Sequence, residues 1–474
     1  MLERVPTGIN GLDPLIEGGL PKGILLLLAG APGTGKTSMS CRFLEKGAHV
    51  YNEKGLYVSL LESKETLTTH LSHHFGPHFS DLEKRGMIKI LTFPSMKSEG
   101  VPAMMDAIMT TIKDEGVKRL VIDSVTALSQ TFTDGRESRI FTHTVLTKLI
   151  PSYGCTTLVT KEIASDGSKI GESAEDFIAD GVFILRRLVY QGRTLRELEI
   201  AKLRGTRIDS PSHPFTLEGG FTLIPPFTHE ALARMEKMKR TPDSDNYFST
   251  GNASLDRIMG GGYPRGTMVL LEVGEAIPLS VFGAISYPIV GNFLNNRSPL
   301  VGIQSLGADP ARTYGRWRAI AGENAEYGRS VEKLRVGIEQ EKPYLATLNS
   351  EKPEDNVREY LQVGDKLREQ TGKPVIWWVA LDHFVDIFGL GHADKVLSEL
   401  STNVIRHREL AVVLAKPGLE NIARTVTNVA ATHLRLFDRD GSVLMYGVKP
   451  RTSLYAVTVD VEKGLESTSF IPIV

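Results

Sequence analysis

Short unbroken apolar runs alternate with helix-spaced segments along the first half of the chain: "ILLLLAG" (24–30), "GLYVSLLE" (55–62), "RLVIDSV" (119–125), "TTLVTKE" (156–162), "DGVFILRR" (180–187) and "RELEIAKLR" (196–204). Such runs suit strands buried on both faces, as in a parallel sheet covered by helices. Between them, "ESKETLTTHLSHHF" and "VPAMMDAIMTTIKDEG" have helical spacing, with Gly116 placed as the C-cap of the second. The alternation predicts a doubly wound α/β domain.

The layout then repeats as "GTMVLLEVGE", "PLVGIQSL", "PVIWWVALDHFVDI", "LAVVLAKPG", "ATHLRLFDRDG" and "VLMYGVKPR". The lead-in "STGNASLDRIMGGGYPRGTMVLLEVGE" also echoes "PTGINGLDPLIEGGLPKGILLLLAGAP". Two copies far longer than a solenoid unit predict duplication of a whole domain. The expected domains are residues 1–228 and 247–474, joined by a polar linker, 229–246, that begins as a short helix. A length of 474 residues agrees with two cores.

Composition narrows the class. Lys+Arg 55 against Asp+Glu 56 leaves a net charge of -1, so no global basic field draws the chain to nucleic acid or acidic membranes. Cys41 and Cys155 form no CxxC pair, which argues against a disulfide framework or thiolate metal site and fits a reducing compartment. No signal peptide opens the sequence, and its longest apolar stretch is far below the roughly 20 residues that span a bilayer. A soluble, cytoplasmic protein with no membrane partner is expected.

"GAPGTGKT", from Gly30 to Thr37, fits G-x-x-x-x-G-K-[ST] directly after an apolar strand and before a helical segment. The pattern is a phosphate-binding loop, Walker A, made of Gly30, Ala31, Pro32, Gly33, Thr34, Gly35, Lys36 and Thr37, with Ser38 opening the helix. Gly33 and Gly35 let the backbone turn so that N–H groups face phosphate oxygens, Lys36 supplies a positive charge, and the Thr37 hydroxyl can ligand Mg²⁺. Asp123 ends an apolar strand where its carboxylate can hold the same ion through water, or cap the next helix. Glu62 can orient water onto the γ-phosphate of ATP, or sit solvated at a helix start.

With these residues in place, the first half resembles a KaiC-type ATPase of the RecA superfamily over residues 4–226, through "VPTGINGLDPLIEGGLPKG", "GAPGTGKT", "GLYVSLLES", "VIDSVTAL", "GCTTLVTKE", "SAEDFIADGVFIL" and "LEIAKLRGT". The resemblance implies two tandem RecA-like P-loop domains, ring-shaped homo-oligomers that are commonly hexameric, and ATP at the seam between protomers. It also implies that Lys202 and Arg204, in "KLRGT", act in trans on the neighbour's γ-phosphate. Alternation along the strand sets both on one face, and a cationic pair there would stabilise charge on the transferred phosphoryl group. One departure stands out. The family carries two adjacent glutamates after the second strand, but here Leu61 precedes Glu62, which predicts slow hydrolysis or a shifted base.

In the second copy "GEAIPLSV" (274–281) replaces the loop. Aligned without gaps, Ile277 and Leu279 stand for the two glycines and Ser280 and Val281 for the lysine and threonine, so no ATP is expected there. Asp382, Lys449 and Arg451 persist, either as relics or as groups that complete the live site. "RTYGRWRAIAGENAEYGRSVEKLR" interleaves Arg312, Arg316, Arg318, Arg329 and Arg335 with Tyr314, Trp317 and Tyr327, a mixture that serves single-stranded nucleic acid or, more commonly, helix surfaces and protein interfaces. The histidines of "HLSHHF" and "FTHE" lack metal spacing. The leading expectation is a slow, Mg-dependent ATPase acting as a regulatory or assembly switch with a protein partner. A recombinase-related DNA-binding ATPase is the alternative, and an autokinase ranks last because that activity needs an intact second loop.

Overall fold

The computed structural model describes residues 2–75, 77–94, 98–132, 153–164, 178–227, 236–277, 279–334, 342–350, 352–460 and 468–474. The chain divides into two compact units, Met1–Pro226 with Pro472–Val474, and Phe227–Ile471.

The first unit opens with a ribbon of β1 (Arg4–Val5) and β2 (Leu20–Pro21). Its nine-stranded sheet contains β3 (Leu25–Gly30), β4 (Gly55–Ser59), β5 (Ile88–Thr92), β6 (Arg119–Asp123), β7 (Thr156–Glu162), β8 (Gly181–Tyr190), β9 (Arg193–Leu203), β10 (Ser212–Thr216) and β11 (Thr222–Leu223). The spatial order is β11-β10-β9-β8-β3-β7-β6-β4-β5. Strands from β8 to β5 pair in parallel, whereas β8 to β11 form an antiparallel extension. Leu26 and Leu28 pack into one apolar layer with Met39 and Phe43, and Leu25 and Leu27 into the other with Ile108 and Ile112. Burial of alternate β3 residues on opposite faces explains the unbroken run of leucines. Gly116 caps its helix at φ 68° and donates its N–H to Ile112 O. Strand β5 escapes the apolar pattern because it is an edge whose Lys89 side chain pairs with Glu115 in the open.

The second unit repeats this plan. A ribbon of β12 (Tyr247–Phe248) and β13 (Tyr263–Pro264) precedes a ten-stranded sheet. Central β14 (Thr267–Val273) lies in parallel between the strands Leu410–Ala415 and Thr432–Arg439, as β3 lies between β7 and β8. Thr7 donates from N and Oγ1 to Asp13 at 2.8 and 2.6 Å, and Thr250 donates to Asp256 at the same two distances. A shared hydrogen-bond pattern at matched positions is what duplication of a whole domain leaves behind. Both units are α/β sheets covered by helices, and no helix among the described residues is long and apolar enough to cross a membrane.

Within "RTYGRWRAIAGENAEYGRSVEKLR", the helix Pro310–Ala321 gives way to a strand, Gly328–Lys333. Trp317 is buried, Tyr314 stacks on Tyr344 at 4.6 Å, Arg316 donates to the Tyr287 hydroxyl, and Arg329 donates to Glu326 O and Gly328 O. These side chains are engaged inside the unit. Arg335, and residues 229–235, with which the expected linker begins, lie outside the described residues.

Candidate nucleotide-binding site

Gly30 ends β3 at the carboxyl edge of the sheet, and the helix Lys36–Val50 begins six residues later. Gly33 and Gly35 adopt φ of 74° and 110°, a region closed to most side chains, and Gly35 is the helix N-cap. A Cβ on Gly30 would lie 2.5 Å from Thr34 Oγ1, so this glycine is required by close approach. Thr34 is buried and closes the turn through its N–H and hydroxyl, both donated to Ala31 O at 3.3 and 2.8 Å. Pro32 is exposed, and Ser38 lies in the first turn of the helix, whose leading N–H groups have no intrahelical acceptor.

Lys36 is buried and donates from Nζ to Gly30 O at 2.8 Å and Ala31 O at 3.1 Å. Burial holds its pKa below the ordinary lysine value, opposed by the charges of Glu162 and Asp123. Asp123, at the end of β6, accepts from three hydroxyls: Thr37 at 3.2 Å, Tyr57 at 2.5 Å and Thr160 at 2.6 Å. Burial, then the adjacent Asp123 charge, push the Tyr57 hydroxyl well above its usual pKa, so it remains a donor. The paired Thr37 and Asp123 oxygens are hard donors of the type that suits Mg²⁺. Glu62 is positioned by Ser59, whose hydroxyl accepts from Glu62 N and donates to Glu62 O, both at 3.1 Å. Leu61 beside it is 55% exposed.

The structure therefore brings Lys36, Thr37 and Asp123 together, with Glu62 on the neighbouring strand end. It sets Lys202 and Arg204 elsewhere. Gly181 pairs with both Leu26 and Leu203, so Arg204 lies at the amino edge of β3 while the loop leaves its carboxyl edge. Four or five residues of strand, roughly 13–17 Å, separate them. Lys202 donates to Ala179 O at 2.6 Å, and Arg204 to Asp180 Oδ1 at 3.2 Å. The bulge between Val182 and Phe183 leaves Ala201 as the extra residue, ahead of both, and the ladder runs on from Lys202 opposite Val182 to Arg204 N donating to Asp180 O at 2.9 Å.

Sequence reasoning missed four residues here. Tyr57 and Thr160 orient Asp123, and Glu162 is the register partner of Gly30. Arg196 donates from Nη1 to Gly33 O at 3.1 Å and Thr34 O at 3.3 Å. Only Thr160, a hydroxyl interrupting an apolar run, left a visible signal.

The second copy departs from the gapless alignment by one residue. Ile277 N donates to Gly274 O at 3.2 Å as Thr34 N does to Ala31 O, and the helices begin at Leu279 and Lys36. Ile277 thus takes the place of Thr34 and packs into the apolar core, while Leu279 rather than Ser280 takes the place of Lys36. Counting along the paired strands, Leu120 aligns with Thr157 and Leu25, and Trp377 with Ala411 and Met268. Ala380 consequently stands at the level of Asp123. Asp382 lies two residues on, in the first turn of the helix Leu381–Phe388, and pairs with Lys416 at 2.8 Å. Lys449 keeps its place opposite His433 as Lys202 does opposite Val182, and donates to Thr427 O. Arg451 is exposed. Among the described residues no group of histidine, cysteine or carboxylate side chains could hold a metal by itself.

A glycine loop between a buried strand and a helix, with its lysine, threonine and strand-end aspartate assembled, defines a P-loop nucleotide-binding domain. Residues 5–225 match the family described as "ATPase: KaiC", so the first domain is a KaiC-like domain of RecA type. The circadian clock oscillator protein KaiC of Thermostichus vulcanus is 31% identical over 280 residues, 57% of this chain and 52% of that protein. The chain thus spans about half the length of the clock relatives it matches. Protein GvpD2 of Halobacterium salinarum is 25% identical over 473 residues, 92% of this chain and 91% of its own. A solved KaiC-like protein from Pyrococcus horikoshii is 34% identical, covering 48% of this chain and 100% of its own with a TM-score of 0.43.

Proposed function

We propose that the first domain binds ATP with Mg²⁺ and hydrolyses it slowly at a seam between copies of the chain, in a ring that serves as a regulatory or assembly switch read by a protein partner. Thr37 and Asp123 would hold the ion, which neutralises charge on the β- and γ-phosphates. Lys36 exchanges the carbonyls of Gly30 and Ala31 for phosphate oxygens, and the N–H groups from Gly33 to Ser38 line the anion's path. Glu62 orients water in place of the missing first glutamate. The second domain takes no nucleotide.

The observation that carries the seam is the register separation of Arg204 from its own loop. A cation at the amino edge of the sheet reaches a γ-phosphate only in another copy. Turnover per protomer, measured across protein concentrations, tests this: it rises with concentration in the wild type and in Arg451→Ala, and is lost in Arg204→Ala. Turnover independent of concentration and retained in Arg204→Ala overturns the seam.

A further inference from the structure

Arg196 is 9% exposed, and it lies opposite Arg187 on the neighbouring strand. Burial, and then the charge of Arg187, press its guanidinium toward deprotonation. A desolvated cation in that position needs acceptors on every side. It finds three backbone oxygens: Gly33 O and Thr34 O of the phosphate-binding loop, and Val474 O, which accepts from Nε at 2.5 Å. The residues Pro472–Val474 belong to the first unit. They are held there a second time, because Thr216 Oγ1 donates to Pro472 O at 2.7 Å. The residue after Thr216 lies beside the loop, since a Cβ on Gly35 would come within 3.2 Å of Leu217 Cδ2. Arg196 therefore bonds to the loop directly, and the residue that follows the second anchor lies beside it.

We propose that Arg196 is a positioning residue that links the phosphate-binding loop to the segment Pro472–Val474, so that seating of the segment and binding of an anion in the loop favour each other. The peptide unit that gives Thr34 O to Arg196 also carries the Gly35 N–H. A charged donor on the carbonyl polarises that unit and strengthens the N–H toward a phosphate. When the segment leaves, the guanidinium loses one of three acceptors and turns toward water or another partner, and its hold on the loop loosens. By linkage, an anion that fixes the loop fixes the segment by the same factor. The proposal rests on the reading of this loop as the ATP site.

Three variants test it: a chain ending at Ile471, Arg196→Gln and Thr216→Val, the last of which removes the hydroxyl that donates to Pro472 O and accepts from Glu218 N. Hydrogen exchange at the amides of Ala31 and Gly33 to Thr37 without nucleotide is expected to quicken several-fold in all three. The affinity for a non-hydrolysable ATP analogue is expected to fall at least about fivefold, the lower end of ordinary coupling between sites. Saturating analogue should slow exchange at Val474 in the wild type but not in Arg196→Gln. Wild-type exchange at 31–37 in a folded Thr216→Val or shortened chain overturns the link. If the wild type binds no analogue, the ATP reading fails, and loop exchange still decides whether the segment and the loop are linked.

Discussion

The Tyr57 hydroxyl lies 2.5 Å from the Asp123 carboxylate, across two paired parallel strands and beneath the phosphate-binding loop. Together with Thr160 it fixes the acid from below, leaving Thr37 as the partner on the loop side. Tyr57→Phe removes one buried donor to a charged acceptor, which costs about 1.5–3 kcal/mol. Urea unfolding should show that loss as a lower midpoint with an unchanged slope. An unchanged midpoint would mean that the hydroxyl contributes no net stability there.

The lowered pKa of Lys36 has a definite sign in stability. Between its folded value and the ordinary lysine value, the unfolded chain binds more protons than the folded one, so stability rises with pH through that alkaline window. Lys36→Met abolishes the rise, because the difference profile of wild type minus variant carries this one group. The same variant should lose ATP binding, measured by calorimetry at neutral pH.

Glu162 and Glu62 separate by their effects. Glu62→Gln should lower turnover about a hundredfold while leaving ATP affinity in place, as loss of a group that orients water does. Glu162→Gln removes one of two carboxylates whose charge keeps Lys36 protonated, so ATP affinity should fail at lower pH than in the wild type. A turnover loss in Glu162→Gln alone would move the base to that residue.

Nucleotide stoichiometry should be one per chain. Ile277 fills the second loop with core packing, and Lys416 neutralises Asp382. Calorimetric titration of the wild type should end near one ATP per protomer, and Ser280→Ala should not alter it. A stoichiometry of two would mean that the second domain binds ATP without a loop lysine.

Strands and the loop were legible because their cause is local. Leu25 to Ala29 bury alternate side chains on two faces, and the glycines at 33 and 35 are demanded by backbone dihedrals. The placement of Tyr57, Thr160, Glu162 and Arg196 was not, since each reaches the loop or Asp123 through strand order, which no spacing encodes. The same reason explains the shifted second copy: "GEAIPLSV" aligns by its glycine, whereas the structure aligns it by Ile277 N donating to Gly274 O. Asp382 persists in the sequence but opens the helix Leu381–Phe388 rather than ending the strand, a difference that its position after an apolar run does not reveal.

Because Lys36 and Arg204 stand at opposite edges of one sheet, the proposed seam is polar: each copy is host on one side and donor on the other. Two dead proteins then make a live one. Chains with Lys36→Ala still donate an arginine, and chains with Arg204→Ala still offer an intact loop. Mixed in equal numbers in a closed ring, roughly a quarter of the seams would join a good loop to a good arginine. The activity regained would count the seams facing the right way round.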